Sequence, residues 1–181
     1  MTKPYFLSDK SNVQGNVFIG KNAKIWHFCN IYGEENRQVI IGARTQIGSY
    51  SEIKPDVTIG SDCRIQSYCF IPEGVTLEDH IFIGPRVTFT NDKHPDIMQT
   101  LGDTWKQERT LVKKYASIGA CAVINPGVTI GLAAIVGSAA NVTKDVRDYA
   151  IVVVNPARVI GYIFEEKYSE FYKHLLSIAT K

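Results

Sequence analysis

No charge of either sign is in excess: 20 Lys and Arg stand against 18 Asp and Glu, a net charge of +2. That balance, with no local Lys/Arg cluster, gives no electrostatic footprint for nucleic acid. Long apolar runs are also missing. No unbroken aliphatic run exceeds five residues, as in Ala150 to Val154, whereas a spanning helix needs about 20. Met1-Thr2-Lys3-Pro4 has no apolar core behind its positive charge, so no secretory signal is expected. Cysteine is sparse, four residues without a Cys-x-x-Cys pair, which indicates neither a zinc knuckle nor a disulfide framework. The expectation is a soluble, cytoplasmic protein, ordinary in hydrophobic content at 45%.

What is present is a period of six. Every sixth residue from Val13 reads Val13, Ile19, Ile25, Ile31. After a slip of four residues the series runs from Ile41 through Ile83 to Phe89, and after a longer gap from Val112 to Val142. Of these 19 positions 18 are Ile, Val or Leu, types that make up only 44 of the 181 residues, so the enrichment is not chance. Small or apolar residues sit two positions earlier (Ala23, Cys29, Thr45, Ser51, Cys63, Cys69, Ala122), and glycine often follows. Period six matches neither a helix of 3.6 nor one long strand of two. It fits short strands separated by turns, with both positions pointing inward. Cys29, Cys63 and Cys69 are then buried structural thiols, and Cys121 points outward.

Such units are those of the hexapeptide-repeat family, and the resemblance implies an all-β left-handed parallel β-helix, three units per 18-residue coil. Nineteen units make about six coils, a prism of roughly 30 Å at the ordinary strand spacing. The expected organisation is a β-helix domain over 1–160, with a loop protruding at about 90–111, and a helical tail over 161–181. In that tail Ala157 to Phe164 reads as a β segment. Tyr168, Phe171, Tyr172, Leu175, Leu176 and Ala179 follow at helical spacing, an apolar face to pack on a prism wall or a neighbouring subunit.

A solenoid is a scaffold, so chemistry is expected where the repeat fails. The first break, Gly33 to Gln38, reads as a bulged corner. The second, from Thr90 to Arg109, is long enough to be functional and begins Asn91-Asp92-Lys93-His94-Pro95. Residues 18 apart stack, which sets Glu73 one coil, roughly 4.8 Å, from Asn91. Glu73, Asn91, Asp92 and His94 form a candidate constellation, with His94 able to act as a base near neutral pH. His27, His80 and His174 are expected to be outside it.

More specific stretches narrow the resemblance. They are Ile25-Trp26-His27-Phe28, Ile83-Gly84-Pro85, Phe89 to Asp92, Thr110 to Lys114, Val142 to Val146 and Asn155 to Gly161. Together they look like bacterial N-acetyltransferases that modify the 3-amino group of dTDP- or UDP-linked amino sugars for O-antigen, lipopolysaccharide or related glycans. The resemblance implies a homotrimer with active sites between subunits, acetyl-CoA as co-substrate and no metal. It implies that Asn91 and Asp92 contact the sugar near its amine, and Glu73, stacked one coil from Asn91, is counted with them as a substrate contact. Gly119, Ala120, Gly137 and Ala139 would offer backbone groups to pantetheine and thioester, and Lys144 and Arg158 would hold the CoA phosphates. In the family the loop often continues from Asn-Asp to an aromatic residue and Pro. Lys93-His94-Pro95 departs from that and is more similar to the O-acetyltransferases of the same fold. His94 is a candidate base, with Asp92 orienting it or the amine. The alternatives are an O-acetyltransferase of a sugar or serine hydroxyl with His94 as base, and a non-catalytic trimeric scaffold. A zinc-dependent γ-type carbonic anhydrase is disfavoured, because none of the four His lie in a suitable pair.

Overall fold

A computed structural model describes residues 4–102 and 104–179; Met1 to Lys3, Asp103, Thr180 and Lys181 lie outside the described residues. The six-residue units become short strands on three parallel walls. The first wall runs from Phe6–Leu7 through Lys24–Ile25 and Phe82–Ile83 to Ala150–Val153. The second runs from Asn12–Gly15 to Asn141–Val142, and the third from Val17–Ile19 to Thr129–Ile130. Every pairing within a wall is parallel, with partners 18 apart wherever the coil is regular, such as Ile47↔Ile65 and Ile65↔Ile83. The register records the two breaks. Ile25 pairs with Ile47, 22 residues on, and Ile83 with Ile118, 35 residues on.

The first wall has eight parallel rungs, so the solenoid exceeds the six coils expected from the repeat. Of the extra rungs, Phe6–Leu7 carries the period one unit further back, since Leu7 stands six residues before Val13 and pairs with Ile25, 18 residues on. Ala150–Val153 is off the register and adds to the open wall edge by ordinary parallel pairing. Eight rungs at the usual spacing span roughly 34 Å.

The interior is the aliphatic column. From Ile25 to Val142 the sixth-position residues are buried, Phe89 completely, and the small positions are buried beside them. Burying each such side chain contributes about 1.5–3 kcal/mol. Thr45 and Ser51 also face inward, and their hydroxyls donate to the carbonyls of Gly60 (2.7 Å) and Gln66 (3.2 Å). The thiols of Cys29, Cys63 and Cys69 do the same toward Gly48, Glu78 and Gly84. Desolvation raises all three thiols, Cys69 to about 11. They are free cysteines, and Cys121 is exposed.

Glycine after the aliphatic residue answers a close approach between coils: a Cβ on Gly42 would lie 2.4 Å from the carbonyl carbon of Gly60. The left-handed turn falls two residues later, on Arg44, Asp62 or Tyr68, at φ 58 to 64. That region costs an L-residue roughly 1–2 kcal/mol, which the cooperative stacking of coils offsets.

Beyond Val153 the chain turns back, and Arg158–Tyr162 pairs antiparallel with Ala150–Val153. This strand straddles the boundary expected at residue 160. Helix α2, Glu166–Ala179, then lies on the solenoid's own upper coils. Tyr168, Tyr172, Leu175 and Leu176 cover Ala133, Ile151 and Ile163, which is the prism-wall packing. Phe171, read as part of that apolar face, instead points to solvent at 75% exposure. At 3.6 residues per turn it lies beyond the edge of the stripe formed by Tyr168, Tyr172, Leu175 and Leu176. The side chain of Ala179 lies outside the described set.

Candidate functional site

Both breaks open at one corner, between the second and third walls. At the second break, Phe89 ends its strand fully buried, and Thr90 still bonds the coil above through its amide to the carbonyl of Ile124 at 2.9 Å. Asn91 then leaves the prism, and its Nδ2 donates to Glu73 Oε2 at 2.8 Å. The one-coil stacking expected from the 18-residue period is therefore present. Asp92 Oδ1 accepts the backbone amide of His94 at 3.0 Å, an Asx turn that swings the chain outward. Asp96 caps the short helix α1 (Ile97–Leu101), accepting from the Met98 amide at 2.9 Å, and Gln99 Nε2 donates to the His94 carbonyl at 3.3 Å.

The result is a hollow of about 170 Å³ whose lining includes Asp92, His94, Gln99, Trp105 and Glu108. Asn91 and Asp92 are half-buried and His94 is exposed. Asp92 was expected to orient the His94 ring or a substrate amine. Its bond goes to the backbone of His94, and among the described residues the imidazole makes no hydrogen bond. Glu73, Asn91, Asp92 and His94 are thus brought to one corner, but without a carboxylate–imidazole pair.

The residues expected to meet CoA lie elsewhere. Gly119, Ala120, Gly137 and Ala139 sit at the corner between the first and second walls, separated from the loop by the width of the second wall. A Cβ on Gly119 would stand 2.5 Å from the Ser138 amide nitrogen, so coil packing alone requires glycine there. Lys144 and Arg158 do come together. They line one hollow of about 390 Å³ with Thr143, Val146 and Val159, at the upper end of the prism. Both are exposed, and neither makes an ion pair among the described residues.

The sequence reading missed the loop's return leg. Trp105 and Glu108 line the hollow, and Lys93 Nζ lies 3.8 Å from Glu108 Oε2, joining the two legs. No periodicity marks them, because a loop's partners are set by where the chain happens to cross. The described residues hold no group of three His, Cys, Asp or Glu side chains able to bind a metal. None of their helices is long and apolar enough to cross a membrane.

Residues 38–73 match the family described as bacterial transferase hexapeptide (six repeats). Over 55 residues the chain is 54% identical to a dTDP-3-amino-3,6-dideoxy-α-D-galactopyranose 3-N-acetyltransferase from Aneurinibacillus thermoaerophilus, covering 30% of this chain and 29% of that protein. Over 111 residues it is 34% identical to a chloramphenicol acetyltransferase of Agrobacterium fabrum, covering 61% and 53%. The chain thus spans about half or less of the length of these relatives. Among solved structures it resembles AntD, an N-acyltransferase from Bacillus cereus. One complex with dTDP and coenzyme A aligns at TM-score 0.67 and 24% identity over 88% of this chain and 90% of that one. Another, with dTDP-4-amino-4,6-dideoxyglucose and coenzyme A, aligns at TM-score 0.54 and 25% identity over 94% and 87%. The six-residue repeat and the three-walled parallel coil make the fold a hexapeptide-repeat β-solenoid, and over part of its length the chain is similar to acyltransferases built on that repeat.

Proposed function

We propose that the protein transfers acetyl from acetyl-CoA to the amino group of a nucleotide-linked amino sugar, with the 3-amino position of a dTDP- or UDP-sugar as the acceptor. The observation that carries this reading is the polar hollow at the repeat break, where Asn91 is anchored on Glu73 and His94 is exposed, its imidazole without a hydrogen bond among the described residues. The neutral amine attacks the thioester carbonyl, the C–S bond breaks, CoA leaves as thiolate, and the amine's proton passes to water or to His94. An amine that arrives neutral needs positioning more than an obligatory base. A hydroxyl acceptor needs a base, and efficient bases are oriented by a third group. Among the described residues no carboxylate bonds the His94 imidazole, Asp92 Oδ1 accepting the His94 backbone amide, and this supports N- over O-transfer.

Asn91, Asp92 and Glu73 are the proposed sugar contacts and His94 the proton acceptor. The backbone at Gly119, Ala120, Gly137 and Ala139 receives the pantetheine, and Lys144 and Arg158 hold the CoA phosphates, for which paired cations are the physical requirement. The two groups of residues lie on different corners of one chain, and α1 exposes Ile97, Met98 and Leu101 at 66%, 67% and 73%. Both features support a homotrimer in which the loop of one subunit completes a site on the next. The proposed setting is cytoplasmic synthesis of surface glycans such as O-antigen.

The test is thiol release from acetyl-CoA over a panel of dTDP- and UDP-linked 3-amino and 4-amino sugars, with product mass and base lability. Release on a 3-amino sugar with a base-stable product is the expected result. Release on 4-amino sugars alone overturns the position. A base-labile product points to an O-acetyltransferase, a reading favoured by the His94-Pro95 pair and by 33% identity over 101 residues to a galactoside O-acetyltransferase of Escherichia coli. His94→Asn should lose less than about a thousandfold in turnover, ~4 kcal/mol of barrier, if N-transfer holds. Absence of CoA binding in a thermal shift would leave only a scaffold.

A further inference from the structure

The first repeat break takes no part in the proposed transfer, yet it stands on the corner from which the long loop leaves. Glu34 and Arg37 exchange both backbone hydrogen bonds across Glu35-Asn36, making a tight hairpin, and the Arg37 side chain is held by Glu34 at 3.3 Å. From there Arg37 Nη2 donates to Gln107 Oε1 at 3.4 Å, and Gln107 Nε2 donates to Asp56 Oδ2 at 2.9 Å. Arg109 Nη2 donates to the same Asp56 oxygen, also at 2.9 Å. Gln107 and Arg109 are the loop's return leg. Arg37 and Asp56 belong to coils well below it on the same corner.

The corner's backbone is shaped to receive that leg. Gly74, at φ +80, has no side chain where Gln107 lies: a Cβ there would stand 2.2 Å from Gln107 Nε2. One coil above the loop, Gly127 at φ +74 does the same for Glu108, whose Oε2 would be 2.5 Å from a Cβ. Both glycines sit at left-handed turns, where any side chain is strained, and the flexible ends of Gln107 and Glu108 fill the room beside them. Glu108 in turn pairs with Lys93 on the outgoing leg. Single exposed ion pairs contribute little to stability. Here several bonds converge on three consecutive residues of a single leg, Gln107 to Arg109, and that leg closes the hollow.

We propose that the hairpin of Glu34 to Arg37, with Asp56 and Gln107, is a brace for the loop. Arg37, Asp56 and Gln107 are positioning residues: they hold the return leg so that the hollow around Asn91 and His94 keeps its shape for the acceptor. The catalytic consequence rests on the transfer reading above; the brace itself does not.

Hydrogen–deuterium exchange on the whole protein tests it, in Arg37→Ala, Gln107→Ala and the conservative Arg37→Lys. The two alanine variants should exchange the amides of 91–99 about tenfold faster, the scale of one lost hydrogen bond released as local opening, and Arg37→Lys less. The strands Thr88–Phe89 and Thr129–Ile130 should keep their protection. With an active acceptor, KM for the sugar should rise about tenfold while stabilisation by CoA is unchanged. Unchanged exchange in the loop, or faster exchange spread equally through the coils, overturns the brace. A loosened loop in a protein whose wild type transfers nothing would uphold the brace and sink the transfer reading.

Discussion

Two of the prism's corners repeat without interruption, and the third carries both insertions. At the corner between the first and second walls, Phe28, Tyr50 and Tyr68 stack with ring centroids 4.9 Å apart. Lys10 lies over the Phe28 ring at 5.7 Å and Arg86 over Tyr68 at 5.8 Å. At the corner between the third and first walls, Arg44 grips Asp62 at 2.6 Å and His80 stacks on Tyr115 at 5.2 Å. The corner between the second and third walls has Asp56, Gly74 and Gly127 at its left-handed positions and no such ladder. The ring spacing matches the strand spacing of about 4.8 Å. The stacks Phe28–Tyr50 and His80–Tyr115 run straight across the two insertions, so these corners keep their coil-to-coil contacts while the extra residues leave from the third. At the corner lined by glycine and aspartate no stacked rings among the described residues stand in the way, and there the chain leaves and returns.

The largest break of this comparison is in the column that all corners share. Ile118→Ala, at a fully buried position, should cost about 3 kcal/mol, read as a lower urea midpoint at an unchanged slope. Next is the ladder. Tyr50→Ala removes two stacked ring pairs and should cost about 2 kcal/mol, whereas Gln107→Ala on the open corner should leave global stability within about 0.5 kcal/mol. Equal losses from the two would remove the distinction between the corners. At the upper end, Lys144→Ala and Arg158→Ala should each weaken CoA binding about tenfold by calorimetry, with more than additive loss if both grip one phosphate group.

The smallest effect sharpens the corner between the third and first walls. The Ser61 amide donates to Asp79 at 2.8 Å and Lys114 lies 3.2 Å away, and the two hold the Asp79 carboxyl below its ordinary range. Arg44 does the same to Asp62. Both groups therefore add stability above the unfolded carboxylate value near 3.9, and that stability is lost as pH falls through the lower folded value. Thermal midpoints should decline below about pH 4, and Asp79→Asn should be less stable at neutral pH with a flatter acid limb. An unchanged acid limb would mean that Asp79 does not titrate with folding.

The solenoid was legible because its signal is redundant: each coil restates three aliphatic positions, and 18 of 19 agree. The stacking of Glu73 under Asn91 was legible for the same reason, since it needs only the coil length. The last rung, Ala150–Val153, was not, because edge pairing asks nothing of sequence beyond an extended backbone. Nor was the role of Asp92, where an Asx turn and a catalytic partner call for the same residue type.

By itself the sequence determined the coil, its inward residues, the corner where the chain opens and the chemistry of the side chains there. Only the tertiary structure decided that Gln107 reaches Asp56, 51 positions away, and Arg37, 70 away, and that Lys144 and Arg158 share one hollow. It also decided that α2 folds back on its own chain. Periodicity encodes neighbours one coil apart, since each coil adds the same displacement. Contacts made by a loop or a tail depend on the path of an irregular segment, which no period constrains.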